Sequence, residues 1–166
     1  MKDIFEIIKL RDSTRLFDSK PIDSEVLKHI VEAAIYAPSG KNVQPWRFRI
    51  IRDKQLIVTI SNHSKYNRWL KSADSLIVMY LDKQISYDKE KDLISVGAAI
   101  QNIILCATSI EIGSCVIGEF VKDSKEIDSV VGVASDLYKH VGIIALGYKR
   151  IKKASIKKKD INKFII

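Results

Sequence analysis

Arg11, Ser13 and Arg15 stand two residues apart in the run Arg11-Asp12-Ser13-Thr14-Arg15. In an extended chain, alternate residues project to one side, so these three would share a face. Two guanidinium forks around a hydroxyl supply planar, charge-assisted donors suited to a phosphate group, each such bond being worth roughly 1.5 to 3 kcal/mol. The same pattern also describes a solvated turn. A second run, Ala37-Pro38-Ser39-Gly40-Lys41-Asn42-Val43-Gln44-Pro45-Trp46-Arg47-Phe48, gathers two of the three prolines with a glycine and a tryptophan. Pro38 must end any helix before it, and Pro45 is expected to hold Gln44 extended. The small and amide side chains between the prolines suit close contact with a ligand, or an ordinary helix-to-strand connection.

Other chemistries lack their residues. No G-x-G-x-x-G opens a dinucleotide fold and no G-x-S-x-G marks a nucleophile elbow. Cys106 and Cys115 have neither a CxxC spacing nor nearby histidines, so neither a zinc site nor a disulfide framework is expected, and Cys106 reads as core. His29, His63 and His140 are assigned no catalytic role, and no metal is expected. The net charge of +8 suggests nucleic acid until it is divided along the chain. Eight of the 28 basic residues fall in 149–166 against one acid, Asp160, so that segment carries +7 and the remainder is nearly neutral. Ile151, Ile156, Ile161, Phe164, Ile165 and Ile166 interleave these charges, which points to packing on protein and makes nucleic acid unlikely as a partner; a basic-tailed module binding nucleic acid or an acidic partner is the rival reading.

At 166 residues the chain suits one domain over 1–150 followed by a basic tail over 151–166. No apolar run is expected to span a bilayer and no signal peptide is read, so no membrane partner and a cytoplasmic location are expected. Asp23 should cap a helix to about Ala37, with Val26, Leu27, Ile30, Val31 and Ala34 inward and Lys28, His29 and Glu32 outward. Trp46 to Arg52 reads as a strand burying Trp46, Phe48 and Ile50, and Ser75 to Leu81 as a strand buried on both faces. Helices are expected at 54–62, through Trp69 and Leu70, and at 124–131, with a last strand at 139–148. Residues 82–91 read as a long, mobile loop, and 92–111 as a helix enclosed on all sides, capped by Gly113. Elements in this order fit an α+β fold or a small doubly wound domain.

The order and spacing of the first two motifs resemble the nitroreductase family of FMN-dependent flavoproteins, which open with R-x-S-x-R and continue into A-P-S-x-x-N-x-Q-P-W. The run Val96-Gly97-Ala98-Ala99-Ile100-Gln101-Asn102-Ile103-Ile104-Leu105 resembles the family's central helix. Ile112-Gly113-Ser114-Cys115-Val116-Ile117-Gly118 and Ala145-Leu146-Gly147-Tyr148-Lys149-Arg150 resemble the segments after it. This resemblance decides for α+β: a central, mostly antiparallel sheet flanked by helices, in an intertwined homodimer whose tails embrace the partner. It further implies that Arg11, Ser13 and Arg15 hold the FMN phosphate and ribityl chain, with Lys149 or Arg150 completing the phosphate site. Pro38, Ser39, Gly40, Asn42 and Gln44 of the other subunit would meet the flavin, and Ile117, Gly118 and Glu119 would close the opposite side. The implied enzyme carries two electrons from NADH or NADPH through FMN to a nitroaromatic, a quinone or a similar small acceptor by a ping-pong course. Chemistry then resides in the cofactor and in no catalytic side chain; a specialised flavin reaction, dehalogenation or ring oxidation, is the alternative. Val116 stands where the family often has tryptophan, and 82–95 is shorter than in fuller-length members.

Overall fold

The computed structural model describes residues 3–121, 124–151 and 158–166. Four strands form one antiparallel sheet in the order β1-β2-β4-β3: β1 (Trp46–Ile51), β2 (Ser75–Asp82), β3 (Ile112–Ile117) and β4 (Tyr138–Tyr148). The helices are α1 (Ile4–Leu10), α2 (Ser24–Glu32), α3 (Lys54–Asn62), α4 (Asn67–Leu70), α5 (Lys89–Ser109) and α6 (Ser124–Val131). Odd-numbered Ile77, Met79 and Leu81 of β2 enter a core with α2 and α5, through Leu27, Ile30, Ala34 and Ile103. Even-numbered Leu76, Val78 and Tyr80 enter a second core with α3, α4 and α6, through Ile57, Ile60, Leu70 and Ile127. Helices on both faces explain why every residue of β2 is buried.

Local chemistry sets the boundaries. The Asp23 carboxylate accepts hydrogen bonds from Glu25 N at 2.8 Å and Val26 N at 3.4 Å, starting α2. That helix tightens into a 3₁₀ turn at Ala33–Tyr36, after which Ala37 is extended, as the following Pro38 requires. Helices α3 and α6 and strand β4 lie where periodicity put them, β4 beginning one residue earlier.

Several expectations are corrected. Ile50 is 41% exposed, because the first core covers its face of β1 only at the Trp46 end, where Trp46 is 4% exposed, and Ile51 instead enters the second core. The polar stretch after β2 is a short connection, 83–88. The Asp92 carboxylate, fully buried, accepts hydrogen bonds from Ser86 Oγ at 2.7 Å, Tyr87 N at 3.1 Å and Asp88 N at 3.3 Å, so α5 begins at Lys89. Helix α5 is not enclosed by its own chain: Ile94 is 74% exposed, and a Cβ on Gly97 would meet nothing within 4 Å. By length and hydropathy α5 also reaches the measure of a membrane span, contrary to the sequence reading, but it packs on the sheet and carries buried Asp92. Gly113 caps nothing; Glu111 takes the positive φ, +64°, and Gly113 lies within β3. Cys106 is half-buried rather than core. Of the basic tail, 152–157 lie outside the described residues, and Ile161, Phe164, Ile165 and Ile166 are exposed.

Candidate functional site

Arg11 ends α1, its N–H bonding Ile7 O at 3.1 Å, and the chain then runs extended along the free edge of β3. Thr14 N donates to Ser114 O at 2.9 Å, Asp18 N to Tyr148 O at 2.9 Å and Arg150 N to Leu16 O at 3.2 Å, with Phe17 bridging Lys149. The first motif is thereby laid beside the end of β4. Glycine makes this approach possible: a Cβ on Gly113 would stand 2.8 Å from Thr14 Oγ1 and 2.9 Å from Lys149 Cγ, and one on Gly147 would stand 2.8 Å from the Phe17 ring.

Thr14 is buried and donates its hydroxyl to Asp12 Oδ1 at 3.1 Å, and Lys149 Nζ meets the same oxygen at 2.7 Å. Arg11, Ser13 and Arg15 occupy the intervening positions, half-buried, half-buried and exposed. Among the described residues, none of the Arg11, Arg15 and Arg150 guanidinium groups has a hydrogen-bond or ion-pair partner. The site thus gathers cations in want of an anion, and a phosphate dianion fits that need. A cleft of about 490 Å³, lined by Phe17, Asp18, Lys54, Lys71, Ser72 and Arg150, opens beside it.

The proline-bounded segment lies elsewhere. Pro45 O accepts Asp82 N at 2.8 Å, which places 38–44 at the Asp82 end of β2, while the arginine strip lies at the Ser75 end. Eight residues of β2 separate those ends, roughly 23 Å at 3.3 Å per residue. Within this segment Lys41, Asn42 and Gln44 adopt φ of 53°, 55° and 49°. Gln44 is therefore not extended as Pro45 led one to expect: its N–H donates to Ser39 Oγ at 3.0 Å, and that closure turns the backbone left-handed. Three such residues in one short loop mark backbone strain of the kind found at ligand contacts. Gly40 packs directly under Tyr87, where a Cβ would collide with the ring.

Ile117 lies three residues along β3 from Ser114, about 10 Å away, and Gly118 follows it. Glu119 accepts from Ser64 Oγ at 2.8 Å and Lys65 N at 3.4 Å, joining this turn to the α3–α4 loop. One chain therefore sets Arg11, Ser13 and Arg15 beside Lys149 and Arg150. Ile117 pairs with Ile143, six residues or roughly 20 Å along β4 from Lys149, so Ile117 and Gly118 lie partway toward the other end of the sheet, and Pro38, Ser39, Gly40, Asn42 and Gln44 lie at that end.

Sequence reasoning missed the Asp12–Lys149 pair and the tie made by Glu119, since neither carries a local signal. It also missed a buried network in which Tyr80 Oη donates to Asp128 Oδ1 at 2.9 Å and His140 Nδ1 lies 3.2 Å from the same oxygen. Burial pushes the His140 pKa down, against the opposing pull of Asp128, and pushes the Tyr80 hydroxyl well above its ordinary value. Neither group faces the strip, so they hold α6 to the sheet rather than react. Among the described residues, no cluster of three or more metal-ligating side chains occurs.

A four-stranded antiparallel sheet clasped by helices, with an arginine strip at one end and a left-handed loop at the other, defines an α+β protein with its two candidate ligand-contacting segments set apart. The Nitroreductase family model matches residues 8–67 and 61–148, and the chain belongs to that family. An oxygen-insensitive NADPH nitroreductase of Helicobacter acinonychis is 28% identical over 191 residues, covering 92% of this chain and 90% of its own. An iodotyrosine deiodinase of Thermotoga neapolitana is 27% identical over 173 residues, covering 89% of each. A Desulfovibrio desulfuricans protein, named for the same family and crystallised in complex with FMN, superposes with a TM-score of 0.94 at 26% identity, covering 100% of this chain and 96% of its own.

Proposed function

We propose that this protein is an FMN-dependent oxidoreductase that carries two electrons from NADH or NADPH to a small acceptor, a nitroaromatic or a quinone, within a homodimer. The observation that carries the reading is the unpartnered Arg11–Arg15 strip beside Arg150, set toward the opposite end of the sheet from the strained loop of the same chain. Because the two halves lie at opposite ends of the sheet, a complete site takes the strip from one subunit and the loop 38–44 from the other. A homodimer is further supported by the apolar residues the single chain leaves exposed: Ile4, Phe5, Ile8 and Leu10 on α1, Ile94 on α5, and Ile161, Phe164 and Ile165 in the tail.

FMN, when bound, would supply the two-electron chemistry, taking hydride from the nicotinamide and passing electrons to the acceptor in alternating half-reactions. The chain's own residues do the rest. Arg11 and Arg15 neutralise the phosphate with bidentate donors, helped by Lys149 or Arg150, and Ser13 adds a hydroxyl donor. The net positive charge of the strip would also favour the more negatively charged, reduced form of the bound cofactor. Ile117 and Gly118, partway along the sheet from the strip, would close the side opposite the loop, and the second subunit's loop presents Pro38, Ser39 and Gly40 as a surface and the Asn42 and Gln44 amides as donors.

The test is the visible spectrum of the FMN-loaded protein and its anaerobic bleaching by NADH and by NADPH, followed by recovery on adding a nitroarene or quinone. Failure to bleach with either nicotinamide overturns the reading. The deiodinase relative favours one competing acceptor class, so an iodinated phenol belongs among the compounds tried.

A further inference from the structure

Four cationic side chains cluster at the ends of the first motif and β4, but they are not equivalent. The Lys149 stem is confined, its Cγ lying 2.9 Å from where a Cβ on Gly113 would stand, and its ammonium meets Asp12 Oδ1 at 2.7 Å. Both partners are largely covered, at 21% and 16% side-chain exposure. Thr14, anchored to β3 through Ser114 O, donates its hydroxyl to the same carboxylate oxygen. For Lys149 to reach an anion on the strip it would have to leave a half-buried carboxylate without its counter-charge. Arg150, one residue on, is exposed and without an ion-pair partner among the described residues, with its backbone bonded to Leu16 beside Arg15.

The geometry points to Asp12 as a positioning residue that withdraws Lys149 from anion binding and uses it, with Thr14, to lock the arginine strip onto β3 and β4, leaving Arg11, Arg15 and Arg150 to hold the phosphate. This rests on the FMN reading above and divides a role that sequence alone left open between Lys149 and Arg150. Asp12 thereby also sets cofactor affinity, because its negative charge lies in the same pocket as the phosphate.

The experiment titrates FMN into the purified protein and its K149M, R150M, D12N and D12N/K149M variants at low and high salt, and records thermal unfolding of each without FMN. K149M is expected to change the dissociation constant by less than about threefold while lowering the unfolding temperature of the FMN-free protein. R150M is expected to weaken FMN roughly 10-fold to 100-fold and to reduce the salt dependence. D12N frees Lys149 and is expected to tighten FMN at low salt, a gain that fades at high salt and vanishes in D12N/K149M. Weakening by K149M equal to that of R150M, or weaker FMN binding in D12N, overturns the proposal. Should the parent bind no FMN, the functional reading fails separately; the lock is then judged by FMN-free unfolding, where D12N and K149M must be non-additive and strict additivity refutes it.

Discussion

The Ser39 hydroxyl is the smallest group on which the strained loop depends. Its Oγ accepts the Gln44 N–H at 3.0 Å, and between them Lys41 and Gln44 hold left-handed backbone that costs about 1 to 2 kcal/mol each for residues with a Cβ. A single neutral hydrogen bond contributes about 0.5 to 1.5 kcal/mol, so it cannot hold the loop unaided. The Arg47 guanidinium donating to Gln44 O at 3.3 Å and the Pro45 O···Asp82 N bond supply the remainder. Ser39→Ala should therefore let the exposed loop relax without unfolding the domain. Expected is a loss of FMN affinity of roughly 2-fold to 12-fold, the binding equivalent of that bond, with the FMN-free unfolding free energy lowered by no more than about 1.5 kcal/mol. Ser39→Thr keeps the hydroxyl, and the φ of −141° and ψ of 148° at this position suit a β-branched residue, so threonine should restore the affinity. Fluorescence titration of FMN into the three proteins, beside urea unfolding of each, decides the matter. Equal affinities for parent and alanine variant, or no rescue by threonine, would refute the argument.

Arg11→Ala should weaken FMN by about 1.5 to 3 kcal/mol, roughly 10-fold to 100-fold, read by the same titration. Gly147→Ala drives a methyl into the buried Phe17 ring, which has no room to swing, and should cost about 1 to 3 kcal/mol of stability in urea unfolding. His140 has its pKa lowered by burial, so the unfolded chain binds a proton that the native state resists. Its contribution to stability is complete above about pH 6.5 and declines as pH falls from there, with a slope of at most about 1.4 kcal/mol per pH unit. His140→Gln should flatten unfolding free energy against pH by up to one proton between pH 6.5 and 5, and an unchanged slope contradicts this.

Helix α2, strand β2 and helix α3 were legible because capping and periodicity are local: Asp23 lies beside the amides it caps, and Ser75 to Leu81 announces burial by composition. The spacing of Arg11, Ser13 and Arg15 is likewise a local signal, since alternation in an extended chain needs no knowledge of the partner strand. Where a distant group decides, sequence reasoning failed. The proline rule for Gln44 yielded to a hydroxyl five residues earlier. A buried aspartate organised the connection at 83–88 that polarity read as mobile. Lys149 looked interchangeable with Arg150 because Asp12, 137 positions away in the chain, carries no sign of being its partner.

The composite nature of the site can be measured with two crippled subunits. One carries Arg11→Ala and Arg15→Ala, the other Ser39→Ala and Asn42→Ala, and the two are co-expressed with different tags so that mixed dimers can be isolated. If the strip of one chain works with the loop of the other, each mixed dimer retains one intact site and binds one FMN with parental affinity, while both homodimers bind weakly. Mixed dimers that bind FMN no better than either homodimer would contradict the account.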